Sequence, residues 1–520
     1  MTQLPSLMLR RRLLGHGRQR LIGVAFSQCP PIDPGPIFPY RALDEERART
    51  PTTSGDTQIT EWPCRLMGAE LSPEAAVAAV EAVFPDALSE LERLVRIPSV
   101  SAAGFDTREV RRSAVATAEL LKDAGFDGVR LLDEVPGSHP AVYGVIRGRT
   151  GSGRILLYAH HDVQPPGDIS LWESPPFEPT ERDGRLFGRG TADDKAGIAL
   201  HAAALRIWKG EPPLEVAVFI EGEEETGSIH LPHFLTKYRN LLRADAIVVA
   251  DCSNWGIGEP ALTTSLRGIV DCVVEVRTLD QCVHSGKYGG PVPDALTVLC
   301  RLIATLHDPA GNVAVGGLHA DPPPATDIDE SDLRQRAGLR PGVQFIGEGS
   351  LSQRIWSRPA ISVLAIDAPA VAGAPHVLVP WARASISMRL APGDDAQRAF
   401  SVLEEHLHSH LPWNAELAVT MDRLGQPYRI DASGPVFDAF RRASADTWDS
   451  ALREPGSGGS LPLVAALADE YPEMAVLLAG IDDPDSRAHS ENESVHLDDL
   501  KKCLVNEAIL LGYIASESRG

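Results

Sequence analysis

Five short stretches of the chain set imidazole or carboxylate side chains close behind apolar runs or at the mouth of a glycine-rich loop. "YAHHDVQP" places His160, His161 and Asp162 after "RILLYA", and "GRGTADDKAG" carries Asp193 and Asp194. "EGEEETGS" puts Glu223, Glu224 and Glu225 after "LEVAVFI", "ADAIVVAD" ends on Asp251, and "AHSENE" supplies His489 shortly after "MAVLLAG". Imidazole nitrogen and carboxylate oxygen are the side-chain donors of which metal sites are commonly built. Each stretch alone has an ordinary explanation. His-x-Asp is commonly a hydrogen-bonded loop pair, Asp-Asp-Lys at a helix start is a cap with favourable dipole charge, and three successive glutamates are usually a solvated run. An account in terms of solvated surface must place all five by accident, and so much clustered negative charge needs cations to compensate it.

The elements around these residues explain why they would meet. From residue 72 the pattern alternates helix and strand. Ser72 reads as an N-cap with Pro73 at the first helical position. "PEAAVAAVEAVF" and "REVRRSAVATAELLKDAG" read as helices, and "KAGIALHAAALRIWKG" as a third. "AVYGVIRG", "RILLYAH", "LEVAVFIEG" and "ADAIVVAD" are near-continuous in apolar residues, as buried parallel strands are. This is an α/β sheet with helices on both faces, and ligands of such sheets gather beyond the carboxyl ends of the strands. The catalytic candidates stand at those ends.

Near residue 266 the texture changes. "GIVDCVVEVRT", the helix "DALTVLCRLIATLHD", the strands "AISVLAID" and "RASISMRLA", the helix "DDAQRAFSVLEEHLHSHL" and the strand "AELAVTMDRL" give the order βαββαβ of a small ferredoxin-like domain. After about residue 425 the first texture resumes. The expected organisation is therefore an extension over 1–70, a catalytic α/β domain in two parts (71–265 and 425–520), and an inserted domain over 266–424. The first residues are Arg-rich and acid-poor, and we read residues 1–70 as a disordered extension, with Met67 as an alternative start.

Composition bounds the partners. The chain has 520 residues, 43% hydrophobic and 23% charged, with a formal net charge of −22. That balance argues against nucleic acid, which calls for a basic face. Its seven cysteines are dispersed, with no CxxC pair, as in a cytoplasmic protein with reduced thiols. No apolar run approaches the roughly 18 residues of a membrane span.

Taken in order, "YAHHDVQP", "GRGTADDKAG", "EGEEETGS", "IVVAD" and "AHSENE" resemble the signatures of the dinuclear zinc peptidase and amidohydrolase family. That family includes carnosine dipeptidases, aminoacylase, glutamate carboxypeptidase, acetylornithine deacetylase and succinyl-diaminopimelate desuccinylase. The resemblance covers about residues 72–515. It implies a zinc-peptidase-like α/β catalytic domain interrupted by a ferredoxin-like lid and dimerisation domain. It also implies two zinc ions per subunit, with manganese or cobalt as alternatives, bridged by Asp193. His160 and Asp251 would complete one site, and Glu225 and His489 the other. Asp162 would fix the His160 ring, and Glu224 would be the general base acting on a water held between the ions. His161 and Ala159 carry no role.

Three further stretches bear on substrate by the same resemblance. "VHSGKYGG" puts His284 where the family holds the carbonyl oxygen or its oxyanion, reaching the active site of the partner chain in a homodimer joined through the lid. "SISMRLAP" puts Arg389 where the family binds the substrate carboxylate, against a plain lid salt bridge. "GSGGSLP" offers backbone N–H groups at Gly458, Gly459 and Ser460 to the same carboxylate, against a plain turn. The function implied is a metal-dependent hydrolase cleaving dipeptides or related aminoacyl amides. An N-acyl amino acid deacylase of the same fold is the alternative. A non-catalytic metal- or peptide-binding relative is a third reading, and the presence of every expected ligand and of Glu224 speaks against it. The wording "YxHxDVQP" and "GEEExGS", and the long segment between Pro309 and Pro359, lean toward the dipeptidase branch.

Overall fold

The structure is a computed structural model and describes residues 71–149, 153–324, 326–459 and 461–517. The expectations for residues 1–70, including Met67, and for Ser460 lie outside the described residues. Helix α1 (Pro73–Val95) starts as its sequence dictates, with the Ser72 hydroxyl accepting from the Ala75 N–H at 3.2 Å. It runs past Pro85, because Ala87, Leu91, Leu94 and Val95 bury a continuous stripe beyond the missing donor. Helix α2 (Thr107–Asp123) follows, capped by Asp106. Then come β1 (Asp127–Leu132), β2 (Ala141–Ile146), β3 (Arg154–His160), α3 (Lys195–Ile207), β4 (Glu215–Glu221) and β5 (Ala246–Val249).

The inserted segment contributes β6 (Gly268–Arg277), α4 (Ala295–Ala304), the short α5 (Glu330–Arg336), β7 (Ala360–Asp367), β8 (Trp381–Leu390), α6 (Ala396–Ser409) and β9 (Glu416–Gly425). The chain then returns through α7 (Pro435–Thr447), β10 (Ala475–Leu478) and α8 (Leu497–Glu517).

The larger sheet has the order β1-β2-β4-β3-β5-β10. Strands β4, β3, β5 and β10 are parallel, with Leu157 opposite Val218 on one side and Val248 on the other. Here the sequence reading needs correction. "AVYGVI" was expected as a parallel strand, but β2 runs antiparallel to both β1 and β4. The error has a physical cause: a strand covered on both faces is apolar at every position, whichever way it runs. Strand β1, with several exposed side chains, gave no such signal. Helices α1, α3 and α8 pack against one another, and α2 lies on β1 and β2.

The inserted segment has its own antiparallel sheet, β7-β8-β6-β9, and its strands and two longer helices follow the order βαββαβ. Val270, Cys272, Val274 and Val276 of β6 join Leu299 of α4 and Leu403 of α6 in a core separate from that of the larger sheet. The unforeseen element is α5. It arises in the Pro/Gly-rich stretch, capped by Asp329, whose carboxylate accepts from the N–H groups of Ser331 and Asp332.

Candidate active site

The site is assembled from strand ends and the loops that follow them. His160 is the last residue of β3 and is fully buried. Its Nδ1 lies 3.1 Å from the Asp162 carbonyl and 3.4 Å from Asp162 Oδ1, which fixes the ring and points Nε2 outward. Asp162 does more than orient a ring. Its Oδ2 accepts from the Ser101 hydroxyl at 2.6 Å and from the Glu225 N–H at 3.2 Å, and its Oδ1 from the Glu224 N–H at 3.3 Å. One buried carboxylate thus ties the end of β3 to the turn after β4. Burial would raise the Asp162 pKa, but the hydrogen bond and charge of His160 outweigh it and the pKa is lowered.

Glu224 and Glu225 occupy a single turn of 3₁₀ helix, Glu224–Thr226, closed by Gly227 at φ 89°. That left-handed conformation is the glycine's reason for being there. Glu225 is held by Gln164, whose backbone N–H reaches Oε1 at 3.0 Å and whose side-chain amide reaches Oε2 at 2.8 Å. Gln164 stands in "HHDVQP" but carried no expected role. Asp251 lies two residues beyond β5, with Oδ2 4.0 Å from His160 Nε2.

Asp193 sits among these groups, and its peptide bond to Asp194 is cis. His160 Nε2 lies 2.9 Å from Asp193 Oδ1, and His489 Nε2 lies 2.9 Å from Asp193 Oδ2. His489 Nε2 is also 3.2 Å from Glu225 Oε2. The five residues expected as ligands therefore converge, with one imidazole on each oxygen of the central carboxylate. Donor atoms of His160, Glu224 and Asp251, and of His160, Asp193 and Glu225, form two groups within 4.8 Å.

The electrostatics fit cations. Burial first, then the charges of Glu225 and Asp193, push the Glu224 carboxyl up to about 8. Burial and neighbouring carboxylates push Asp251 well above the usual range, and Glu225 rises for the same reasons. On His160, burial opposes charge but is outweighed by Asp162 and Asp193, so its pKa rises well above 6.5. Hydrogen bonds that His489 donates to the Asp193 and Glu225 carboxylates raise its pKa to about 11. So many buried acids around two imidazoles are a nitrogen and oxygen donor set short of positive charge. His161, by contrast, is structural. Buried, with Nε2 on the Pro140 carbonyl at 2.8 Å, it is pushed down to about 4 by desolvation.

Two residues that sequence reasoning missed support the site. Glu493 accepts from Arg189 at 2.5 Å and from the backbone N–H groups of Gly190, Ala192 and Asp193 at 3.0, 3.0 and 3.2 Å. Its place in "AHSENE" was its only signal. Arg267 is buried, and its guanidinium donates to the carbonyls of Gly458 and Arg358, at 3.4 and 3.5 Å. Among the described residues no acid pairs with it. Burial, then the charge of Arg389, lowers its pKa to about 10.

A cleft of about 550 Å³ opens from Asp193, Glu224, Asp251 and His489 and is bounded by Gly458 and Gly459 and by α5 of the inserted segment. His284 and Arg389 do not line it. His284 is exposed on a short strand paired with Val377–Leu378. Arg389 feels Asp271, which is also bonded by Arg423 at 3.0 Å. In the glycine loop the Gly459 N–H already donates to the Ser457 hydroxyl at 3.1 Å.

A sequence profile of peptidase family M20/M25/M40 matches residues 156–507. The chain is 33% identical over 364 residues to a cysteinylglycine-S-conjugate dipeptidase of Corynebacterium striatum, covering 69% of this chain and 80% of that one. Its fold is similar to that of a dipeptidase from Saccharomyces cerevisiae, with a TM-score of 0.76 at 22% identity over 86% of this chain and 99% of the other. Human carnosine dipeptidase 1 superposes with a TM-score of 0.72 at 23% identity over 85% and 100% of the two chains.

Proposed function

The chain belongs to peptidase family M20/M25/M40, and on that premise we propose that it is a dinuclear zinc dipeptidase that works as a homodimer in the cytoplasm. The observation that carries the reading is the Asp193 carboxylate, with an imidazole 2.9 Å from each of its oxygens. His160 and Asp251 would hold one ion, His489 and Glu225 the other, and Asp193 would serve both. Such ions, when bound, polarise a scissile carbonyl and make water a nucleophile at neutral pH. Manganese and cobalt suit the same donors.

The chain's own groups do the rest. Asp162 holds the His160 ring by Nδ1 and, through the N–H groups of Glu224 and Glu225, sets where both glutamates begin. Glu224, in the cleft wall, is placed to accept a proton and return it to the leaving amine. Arg267, buried without an acid beside Gly458, supplies a positive charge for the substrate's carboxylate, with Arg389 nearby.

The dimer reading rests on two features. His284 stands outside the cleft of its own chain, and β7 is a sheet edge with Val363, Leu364 and Ile366 exposed. Residues 266–424 then act as the lid and dimerisation domain between the two parts of the catalytic domain. Among the described residues no helix is long and apolar enough to cross a membrane, and Cys252, Cys272, Cys300 and Cys503 carry free thiols.

The test is a panel of dipeptides and N-acyl amino acids offered to the protein loaded in turn with zinc, manganese and cobalt. Hydrolysis of dipeptides is expected. Cleavage of N-acyl amino acids alone would make the protein a deacylase of the same family. Glu224→Gln should keep its metal and lose about a hundred- to ten-thousandfold in turnover; near-normal turnover at full occupancy would sink its role as base.

A further inference from the structure

The cleft does not end at the metal-ligating residues. Trp255, four positions after Asp251, stands in its wall, part-buried. Its ring meets that of Trp356 edge-on, with centroids 6.1 Å apart at 65°. Trp356 comes from the inserted segment, is nearly buried, and abuts Gly456 so closely that a Cβ there would lie 2.8 Å from its own. Helix α5 closes the recess from the side: Leu333 lines it, and Arg336 Nη1 reaches the Trp255 carbonyl at 3.5 Å. Arg453 lies over the Trp255 ring, 5.9 Å from its centroid.

This part of the wall sets Trp255, Trp356 and Leu333 beside Asp332 and Arg336, and an apolar stretch of wall at an active-site mouth is a ready place for an apolar side chain. Which residue of the substrate it faces follows from the charge of Arg267, which stands behind Gly458 in that wall of the cleft. Gly456 packs on Trp356, and Gly458, two residues on, lies against Arg267. A carboxylate drawn to Arg267 therefore brings the residue that bears it beside the two tryptophans. This step rests on the dipeptidase reading proposed above.

We infer that Trp255 and Trp356 form a specificity pocket for a large apolar, and above all aromatic, side chain on the C-terminal residue of the dipeptide, and that Trp255 is the residue that reads it. A glycine at that position leaves the recess to water. A phenyl ring fills it and meets Trp255 in an offset or edge-on contact of the kind aromatic pairs favour.

The experiment compares Ala-Phe, Ala-Leu and Ala-Gly as substrates of the zinc-loaded full chain. With Trp255 intact, kcat/KM for Ala-Phe should exceed that for Ala-Gly by about tenfold or more. In Trp255→Ala the ratio should fall to within about threefold of unity through loss of kcat/KM for Ala-Phe. Trp255→Phe should keep most of the preference. The inference is overturned if Ala-Gly is cleaved as well as Ala-Phe by the parent protein, or if Trp255→Ala leaves the ratio unchanged. Failure to cleave any of the three peptides would instead remove the dipeptidase reading on which it stands. Cooperative thermal unfolding and bound zinc close to the parent's show that Trp255→Ala is folded.

Discussion

Glu493 accepts a hydrogen bond from the backbone N–H of Asp193 at 3.2 Å, although the two residues stand 300 positions apart. The same carboxylate holds Gly190, Ala192 and Arg189. The loop that presents Asp193 is therefore shaped by a buried acid from the far part of the chain.

Replacing that acid has two effects. Glu493→Ala leaves Arg189 buried without its counter-charge, which costs about 3–5 kcal/mol. It also frees the Asp193 loop, so the variant should lose bound metal at concentrations where the parent stays loaded. Urea unfolding and elemental analysis read the two separately. Parent-like stability and metal content together would show that the clamp is idle.

The bridging role proposed for Asp193 would separate it from Asp251. A carboxylate shared between two cations is needed by both, so Asp193→Ala should hold one equivalent of metal or less. Asp251→Ala removes a ligand from one ion and should retain the other in part. Two equivalents in the Asp193 variant would exclude the bridge.

His284 is exposed and outside its own cleft, which predicts a composite site in a dimer. Glu224→Gln and His284→Ala should each be inactive alone, because an oxyanion donor must lie within about 3 Å of the developing charge. Mixed under conditions that exchange subunits, they form dimers with one doubly damaged site and one intact site. Activity should return. Its absence in proven heterodimers would place His284 in its own chain's chemistry or in none, and an active His284→Ala would make it an ordinary surface residue.

Metal-free protein should become less stable as pH rises from about 5 to 8. Burial pushes Asp194 and Glu221 up to about 7 and Glu224 up to about 8, from ordinary values of 3.8 and 4.5. Between the ordinary and the raised values the folded chain holds protons that the unfolded chain has released. Stability therefore falls with rising pH across that window. His489, raised from 6.5 to about 11, works in the same direction, though it is half exposed and solvent screens its share. Saturating zinc should flatten the dependence. A melting temperature for metal-free protein that rises over the window would contradict it.

The candidate ligands His160, Glu225 and Asp251 were legible because each stands just after or at the end of a strand whose apolar run is unmistakable, and a parallel sheet gathers its strand ends at one edge. Asp193 was marked instead by the glycine-rich loop before a helix. The order βαββαβ of the inserted segment was legible for a similar reason, since β6, β8 and the helices α4 and α6 bury one face with regular spacing. Strand direction was not, as β2 shows. Helix α5 was hidden because seven mostly polar residues carry no apolar period, only a capping aspartate. Glu493 and Arg267 escaped for a different reason. A buried charge is recognised by its surroundings, and those come from segments 300 and 191 positions away, respectively.

The pairing of β10 with β5 across the whole inserted segment has a consequence for biogenesis. As the chain leaves the ribosome, β3, β4 and β5 can associate early, and the inserted segment, with a core of its own, can follow. The edge of β5 stays unpaired until residues 475–478 have been made, and the Asp193 loop lacks its clamp until Glu493 has been made. Metal capture therefore belongs to a late moment of synthesis. Nascent chains stalled before that point present an open parallel edge and a cluster of uncompensated carboxylates, which makes them the species that a chaperone or protease would meet.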